Sequence, residues 1–155
     1  MPSNPASAAG KLIQLVLLML LASPAAGALV VVDGGETELN KGDRITGLVQ
    51  DENRVELADP LQLYLAAIRQ GASADVVFYG SRGTSDRQWA VPSSRWDFTV
   101  APELADKNLE AKLVRWLAAD GVGDDAGLLT PLTGAWTAQG KWHDLAWLFI
   151  NLARK

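Results

Sequence analysis

The first 28 residues have the pattern of a secretory signal peptide, which leaves residues 29–155 to form the folded protein. Lys11 precedes an apolar run from Leu12 to Ala22, and no acidic residue occurs in this segment. The run is shorter than the roughly 20 apolar residues that a membrane-spanning helix needs. The small residues Ala26-Gly27-Ala28 suit a signal peptidase, so we predict cleavage after Ala28. Retention of the leader as a membrane anchor is the alternative that the sequence leaves open.

The chain contains no cysteine and one histidine, His143. Disulfides, thiolate metal sites and cysteine nucleophiles are therefore excluded, and so is a site with several histidine ligands. An exported chain without disulfides depends on its hydrophobic core, and the length that remains after cleavage is sufficient to bury one. We predict a periplasmic protein with no membrane span after cleavage, either free or associated with the outer membrane.

The charge of the chain argues against nucleic acid as a partner. Residues 29–155 keep 13 basic and 18 acidic residues, because the leader contains one lysine and no acid. A net charge of −5 has the wrong sign for binding phosphates through a broad basic surface. Hydrophobic residues make up 48% of the chain and charged residues 21%, which is typical of a globular protein.

Residues 29–88 predict several strands and one helix. Strands are expected where short apolar or alternating runs end at turn residues. They are Leu29 to Val32, Arg44 to Gln50 with a hairpin partner at Val55 and Leu57, and Asp75 to Tyr79. Asp59 and Pro60 form the N-cap and first residue of a helix, and its apolar residues share one face. These residues are Leu61, Tyr64, Leu65 and Ile68. Gly80 to Ser94 is expected to be an exposed loop or linker.

Residues 89–155 contain all six tryptophans and predict a second set of elements. The pattern predicts strands at Trp96 to Val100, Leu128 to Leu132 and Ala135 to Ala138, a helix capped by Asp106, and a final helix from Trp142 to Ala153. We therefore predict an α+β fold in which two or three helices pack on a small mixed sheet. Residues 29–88 would be an N-terminal α/β region of unknown role, and residues 89–155 a second α+β domain.

Four groups of residues in the second half follow one another in a recognisable order. They are Phe98-Thr99-Val100, Arg115-Trp116-Leu117 with Gly121, Pro131-Leu132-Thr133-Gly134, and the helix from Trp142 to Leu152. In this order the segment resembles the C-terminal domain of the toxin-coregulated pilus biosynthesis protein Q family, which is similar in shape to the short N-terminal domain of secretins. Gly121 is followed by Val122, where that family usually has an aromatic residue.

The resemblance implies a function without catalysis. Members of the family are small periplasmic accessories of secretin-based type IV pili, and related domains occur in conjugative systems. The implied function is that of a non-enzymatic accessory protein, which binds or helps assemble an outer-membrane secretin or channel subunit. The resemblance covers about the last 60 residues, and its Pro-Leu-Thr-Gly group is expected to be a strand.

Three polar patterns are compatible with chemistry, but none predicts a catalytic residue, a cofactor or a metal. His143 and Asp144 would need a serine nucleophile to form a catalytic triad. None of the available serines lies in a G-x-S-x-G motif; these serines are Ser81, Ser85, Ser93 and Ser94. The loop Gly80 to Ser85 lacks the Gly-Lys-Ser/Thr end of a phosphate-binding loop. Asp120, Asp124 and Asp125 lack the spacing of a calcium-binding EF-hand loop.

The tryptophans indicate a binding surface. Trp116 and Trp147 lie among apolar helical residues and are expected in the core, whereas Trp89, Trp136 and Trp142 have polar or small neighbours. We predict that these three contact a protein partner, because tryptophan is effective at interfaces. Pairing of a strand edge at Ala135 to Ala138 is a second mode of docking. The alternative function is a ligand- or glycan-binding module with exposed tryptophans, and self-association into a homo-oligomer is left open.

Overall fold

The computed structural model describes residues 27–50, 52–70, 75–92, 96–118 and 125–154, so all of the predicted signal peptide except Gly27 and Ala28 lies outside the described residues. The described part contains six strands and four helices. They are β1 Leu29–Asp33, β2 Arg44–Gln50, β3 Asn53–Glu56, α1 Pro60–Gln70, β4 Val76–Arg82, β5 Ser85–Val91, β6 Thr99–Pro102, α2 Lys107–Ala118, α3 Asp125–Ala138 and α4 Trp142–Ala153. The predicted α+β class is confirmed. No helix in these ranges is long and apolar enough to cross a membrane.

The six strands form one antiparallel sheet in the order β5-β4-β2-β1-β6, and β3 also pairs with β2. Strand β2 is central, because it pairs with β4 on one side and with both β1 and β3 on the other. The predicted hairpin of β2 and β3 is confirmed. The proposed division between residues 88 and 89 falls within β5, and β6 belongs to the same sheet as the strands before that division.

Strands β1 and β6 separate two hydrophobic cores. Successive residues of a strand point to opposite faces of the sheet. Val31 and Val100 therefore lie in the first core, while their neighbours Val32 and Ala101 lie in the second. Burial on both faces explains why β1 is a continuous apolar run rather than an alternating one.

The helices divide between the two cores. Helix α1 contributes Leu63 and Ala66 to the first core, which is closed by the edge-on contacts of Trp96 and Phe98 with Phe78. Helices α2, α3 and α4 form the second core. The side chains that they bury there include Leu113, Trp116, Leu128, Leu132, Trp136, Leu145, Trp147 and Leu148. The described part of the chain thus contains four helices, where the sequence predicted two or three.

The predicted loop from Gly80 to Ser94 is wrong for most of its length. Strands β4 and β5 pair from Val76 with Val91 to Arg82 with Ser85. They turn at Gly83, which has φ +59° and so suits a tight two-residue hairpin. Strand β5 is an edge strand with an exposed polar half, and this polarity gave the sequence its loop-like composition. Residues 93–95 lie outside the described residues.

The strands predicted at Leu128 to Leu132 and Ala135 to Ala138 are also wrong, because both segments lie in α3. Leu128, Leu132 and Trp136 are spaced by four residues, which places them on one face of a helix. All three are buried in the second core. The Pro-Leu-Thr-Gly group that the family resemblance placed in a strand lies in the middle of this helix. The strand predicted at Trp96 to Val100 begins instead at Thr99.

Candidate functional site

One of the three tryptophans predicted to contact a partner is accessible. Trp142 is 62% exposed, whereas Trp89 is 3% exposed and Trp136 is 2% exposed. The expectation of surface exposure is therefore wrong for Trp89 and Trp136. Trp116 and Trp147 are buried in the second core, as predicted.

Local secondary structure explains why Trp89 and Trp136 are buried despite their neighbours. Trp89 lies on the inward face of an edge strand, opposite Phe78, so the polar residues beside it in sequence point away from the core. Trp136 lies on the buried face of α3, and its small and polar neighbours occupy the other faces of the helix. A predicted edge strand at Ala135 to Ala138 cannot serve as a docking edge, because these residues are helical.

Helix α4 has apolar residues on its solvent side as well as on its core side. Its buried residues include Leu145, Trp147 and Leu148. The exposed residues Trp142, Ala146, Phe149, Ile150 and Ala153 fall within about 100° of one another at 100° per residue, and we call them the α4 face. Phe149 is 55% exposed and Ile150 40% exposed. A soluble helix normally has polar residues on that side.

Helix α1 has a second exposed apolar surface. The sequence correctly places Tyr64, Leu65 and Ile68 on one helical face, but this face points to solvent, and we call these three residues the α1 stripe. Ile68 is 77% exposed, and Leu65 and Tyr64 are 48% and 39% exposed. Leu61, at the start of the same face, is partly buried against the second core.

A polar contact joins the first turns of α1 and α4, which pack against each other. Asp59 caps α1 by accepting a hydrogen bond from the backbone N–H of Gln62 at 3.0 Å. The other carboxylate oxygen of Asp59 lies 3.1 Å from Nδ1 of His143. Asp59 is buried, while the ring of His143 is largely exposed. The contact therefore fixes the end of α4 that carries Trp142.

Asp144, next to this contact, is a buried carboxyl in an unfavourable environment. It is 7% exposed, and its Oδ1 has no hydrogen-bond partner within the described ranges. Burial, and to a smaller extent the charge of Asp59, raises the pKa of Asp144, while Lys141 and His143 oppose the change, and the net result is a pKa of about 6. Ionised Asp144 therefore destabilises the folded protein near neutral pH.

Replacement of Asp144 by asparagine is expected to stabilise the protein at pH 7.5 by about 1–2 kcal/mol, after allowance for partial screening by solvent. The folded-state pKa of about 6 exceeds the ordinary value of 3.8, so the wild-type protein loses stability as pH rises between these values. Urea unfolding at pH 4 and pH 7.5 measures the difference. The gain of Asp144→Asn should disappear at the lower pH.

Asp106→Asn is the matched control for this substitution. Asp106 is exposed and caps α2, and asparagine is an equally good N-cap. This variant should gain no stability at pH 7.5. An equal gain in both variants would contradict a specific effect of the buried Asp144 carboxyl.

Among the residues that the structure describes, the polar patterns of the sequence do not come together as a catalytic or metal site. No serine in the described part of the chain is hydrogen-bonded to His143; Ser81 and Ser85 lie in β4 and β5, and Ser93 and Ser94 lie outside the described residues. Asp125 begins α3, and Asp120 and Asp124 are likewise outside the described residues. The ranges that the structure describes contain no group of three or more acidic or histidine side chains placed to hold a metal ion.

Arg82, in the segment whose sequence lacks the phosphate-binding pattern, has an internal partner. Arg82 donates two hydrogen bonds of 2.8 Å to the buried carboxylate of Asp43 and one of 3.0 Å to the carbonyl oxygen of Glu38. The hydrogen bond from Arg82 holds the pKa of Asp43 below its usual value. Arg82 thus neutralises an internal charge and fixes the loop before β2 to the end of β4.

The outer face of β2 to β5 carries a shallow concavity of about 640 Å³. Its lining includes Tyr79, Arg54, Asp86 and Gln88. The Arg54 guanidinium lies 4.0 Å above the centre of the Tyr79 ring, so one face of this ring is covered. None of the six tryptophans lines the concavity. Trp142 is the exposed tryptophan, so a glycan could stack on this one ring but not on a platform of several tryptophans.

Comparisons with known proteins do not add a relative to these observations: no family model, curated protein or solved structure matches the chain. The α4 face and the α1 stripe are the strongest candidate for a functional site. The sequence indicated Trp142 and the grouping of the α1 residues, but it did not indicate that Phe149 and Ile150 are exposed. The signal that could have found them is the excess of apolar residues in α4, which a single buried face does not require.

Proposed function

We propose that the protein is an exported, non-enzymatic binding protein that docks on another envelope protein through the α4 face and the α1 stripe. The observation that supports this most directly is the exposure of large apolar side chains on two adjacent helices. Large exposed apolar patches mark interaction sites in soluble proteins. Trp142, Tyr64 and Phe149 provide aromatic anchors, which are common at the energetic centre of interfaces.

A comparison within the protein supports a special role for these helices. Helix α2 has an ordinary solvent side, where the exposed residues include Lys107, Lys112 and Arg115. On α4 the corresponding solvent positions are apolar from Trp142 to Ala153, apart from His143. The same fold therefore displays both kinds of helix surface, and α4 has the apolar kind.

The identity of the partner is proposed from the sequence alone. The resemblance to the pilus biosynthesis protein Q family favours an outer-membrane secretin or channel subunit of a type IV pilus or conjugation apparatus. With the predicted signal peptide, this interaction would take place in the periplasm. The docking mode proposed is burial of aromatic and aliphatic side chains, because the edge strand that was considered for pairing is part of α3.

The proposal is tested by affinity purification from the solubilised envelope of the protein's own cell, followed by mass spectrometry. We expect a channel subunit to be recovered with the wild-type protein. Ile68→Asp on the α1 stripe and Trp142→Ala on the α4 face should each reduce its recovery by about tenfold or more, since loss of an interface anchor typically costs 2 kcal/mol or more.

Ala111→Asp is the matched control, because Ala111 is an exposed residue of α2 outside both apolar surfaces. This variant should recover the partner as well as the wild type does. If all variants recover the same partner equally, docking through these helices is wrong. Recovery of no envelope protein, together with a change in tryptophan fluorescence on addition of peptidoglycan fragments, would favour the ligand-binding alternative based on Trp142.

A further inference from the structure

We infer that the α4 face binds the α4 face of a second copy of the chain, in an antiparallel arrangement. This inference rests on the proposed function, since it names the occupant of one part of the same surface. In the dimer the α1 stripes would contact the envelope partner directly, and the α4 face would contribute to docking by pairing the two stripes, so Trp142→Ala would lower partner recovery through loss of the dimer. A dimer would then present two equivalent docking stripes, and two linked sites bind a multi-subunit partner more tightly than one.

The order of large and small residues along α4 is the first argument for an antiparallel pair. A two-fold axis near the middle of the helix brings residue i of one copy opposite residue j of the other, and j opposite i. With the axis between Trp147 and Leu148, Trp142 of each copy meets Ala153 of the other. The same axis places Phe149 opposite Ala146. Each large ring thus lies against a small residue, which permits close packing of the helices.

Charge is the second argument. The α4 face contains no ionisable residue, and its neighbour His143 is held at the side by Asp59. Two identical faces can therefore meet without placing like charges at the centre of the contact. Like charges occur at the ends, where the exposed residue Lys141 of one copy approaches the exposed residue Arg154 of the other.

These features set the expected strength of the dimer. The α4 face is small compared with the roughly 800 Å² that each partner buries in a standard interface, so we expect a dissociation constant on the order of 10 µM. Screening of the charges at Lys141 and Arg154 should strengthen association as the salt concentration rises. A dimer held by ion pairs would show the opposite dependence.

Sedimentation equilibrium of the purified wild-type protein from about 1 to 200 µM tests the inference. Ala146→Glu should raise the dissociation constant by more than about 100-fold, because it places a charge at the apolar centre of the contact. Ala111→Glu is the control, since it adds the same charge to the exposed side of α2. It should leave the dissociation constant within about twofold of the wild-type value.

Single cysteines test the direction of the helices, because the chain contains no cysteine of its own. Ala146→Cys lies close to the two-fold axis and should give a covalent dimer with a short bismaleimide. Ala153→Cys lies at one end of the helix and should give little, since the antiparallel arrangement separates the two copies of this residue. Efficient cross-linking at both positions would indicate parallel helices and overturn the inference.

The remaining outcomes separate this inference from the proposed function. A protein that is monomeric at every concentration, or a dimer that survives Ala146→Glu, overturns the inference. Either result leaves the proposed function to its own measurement, the effect of Ile68→Asp on recovery of an envelope protein. A dimer that behaves as expected while Ile68→Asp has no effect would support self-association and contradict docking through the α1 stripe.

Discussion

Replacement of Trp136 by alanine is expected to destabilise the protein by about 3–5 kcal/mol, the range typical of removing a buried tryptophan. Trp136 is 2% exposed and packs in the second core, on the same helical face as Leu128 and Leu132. Truncation would leave a cavity between α3 and its neighbours that a close-packed interior fills only in part. Urea unfolding followed by circular dichroism should show a lower midpoint with an unchanged slope.

The same substitution at Trp142 is the internal control. Trp142 also lies in a helix but is 62% exposed, so Trp142→Ala should change the free energy of unfolding by less than about 1 kcal/mol. Only this second variant is expected to reduce partner recovery without a loss of stability. Similar losses of stability in the two variants would contradict the assignment of Trp136 to the core and of Trp142 to the surface.

The elements that the sequence predicted correctly are those in which local signals agree with tertiary packing. Asp59 and Pro60 begin α1, and Asp106 begins α2 with its carboxylate bound to the N–H groups of Asn108 and Leu109. β1 was recognisable because an apolar run of β-branched residues suits a strand that is buried on both faces. In these segments the local preference and the global fold favour the same conformation.

The wrongly predicted elements are those in which the residue composition suggests one secondary structure and the spacing of the buried residues suggests another. Helix α3 contains Pro131, Gly134 and short apolar groups, all of which weaken a helical signal. The decisive signal was the spacing from Leu128 to Leu132 to Trp136, which spans the two predicted strands. In β5, the residues Trp89 and Val91 alternate with outward-facing ones, but only the end of the strand is buried. In short segments of this type, the sequence pattern does not distinguish a helix, a strand and a loop from one another.

The candidate site was predictable only in part, because exposure of an apolar face is a property of the assembled fold. The pattern of α1 places Tyr64, Leu65 and Ile68 together, and in an ordinary amphipathic helix this face would pack on the core. In α1, Leu63 and Ala66 pack on the core instead. For α4 the sequence contains an excess of apolar residues, yet which of them face outward follows from the packing of Leu145, Trp147 and Leu148 inside.

Replacement of Gly80 by alanine is expected to destabilise the protein by about 3 kcal/mol, through steric overlap rather than through a lost contact. A Cβ atom at this position would collide with the carbonyl oxygen of Arg44 in the neighbouring strand β2. Backbone cannot move aside as a flexible side chain does, so β2 and β4 would have to separate. The strain would fall at the register shift of this strand pair between Ile45 and Gly47.

Gly134→Ala provides the opposite result with the same chemical change. Gly134 lies in α3, and a Cβ atom there would have no neighbour within 4 Å. The added methyl group should therefore stabilise the helix by about 0.5–1 kcal/mol, because alanine has less backbone freedom to lose than glycine. Unfolding midpoints of the two variants should lie on opposite sides of the wild-type value.

Strand β2 pairs with three other strands, so loss of its contact with β4 should unfold the sheet cooperatively. A Gly80→Ala protein as stable as the wild type would contradict the close approach of β2 and β4.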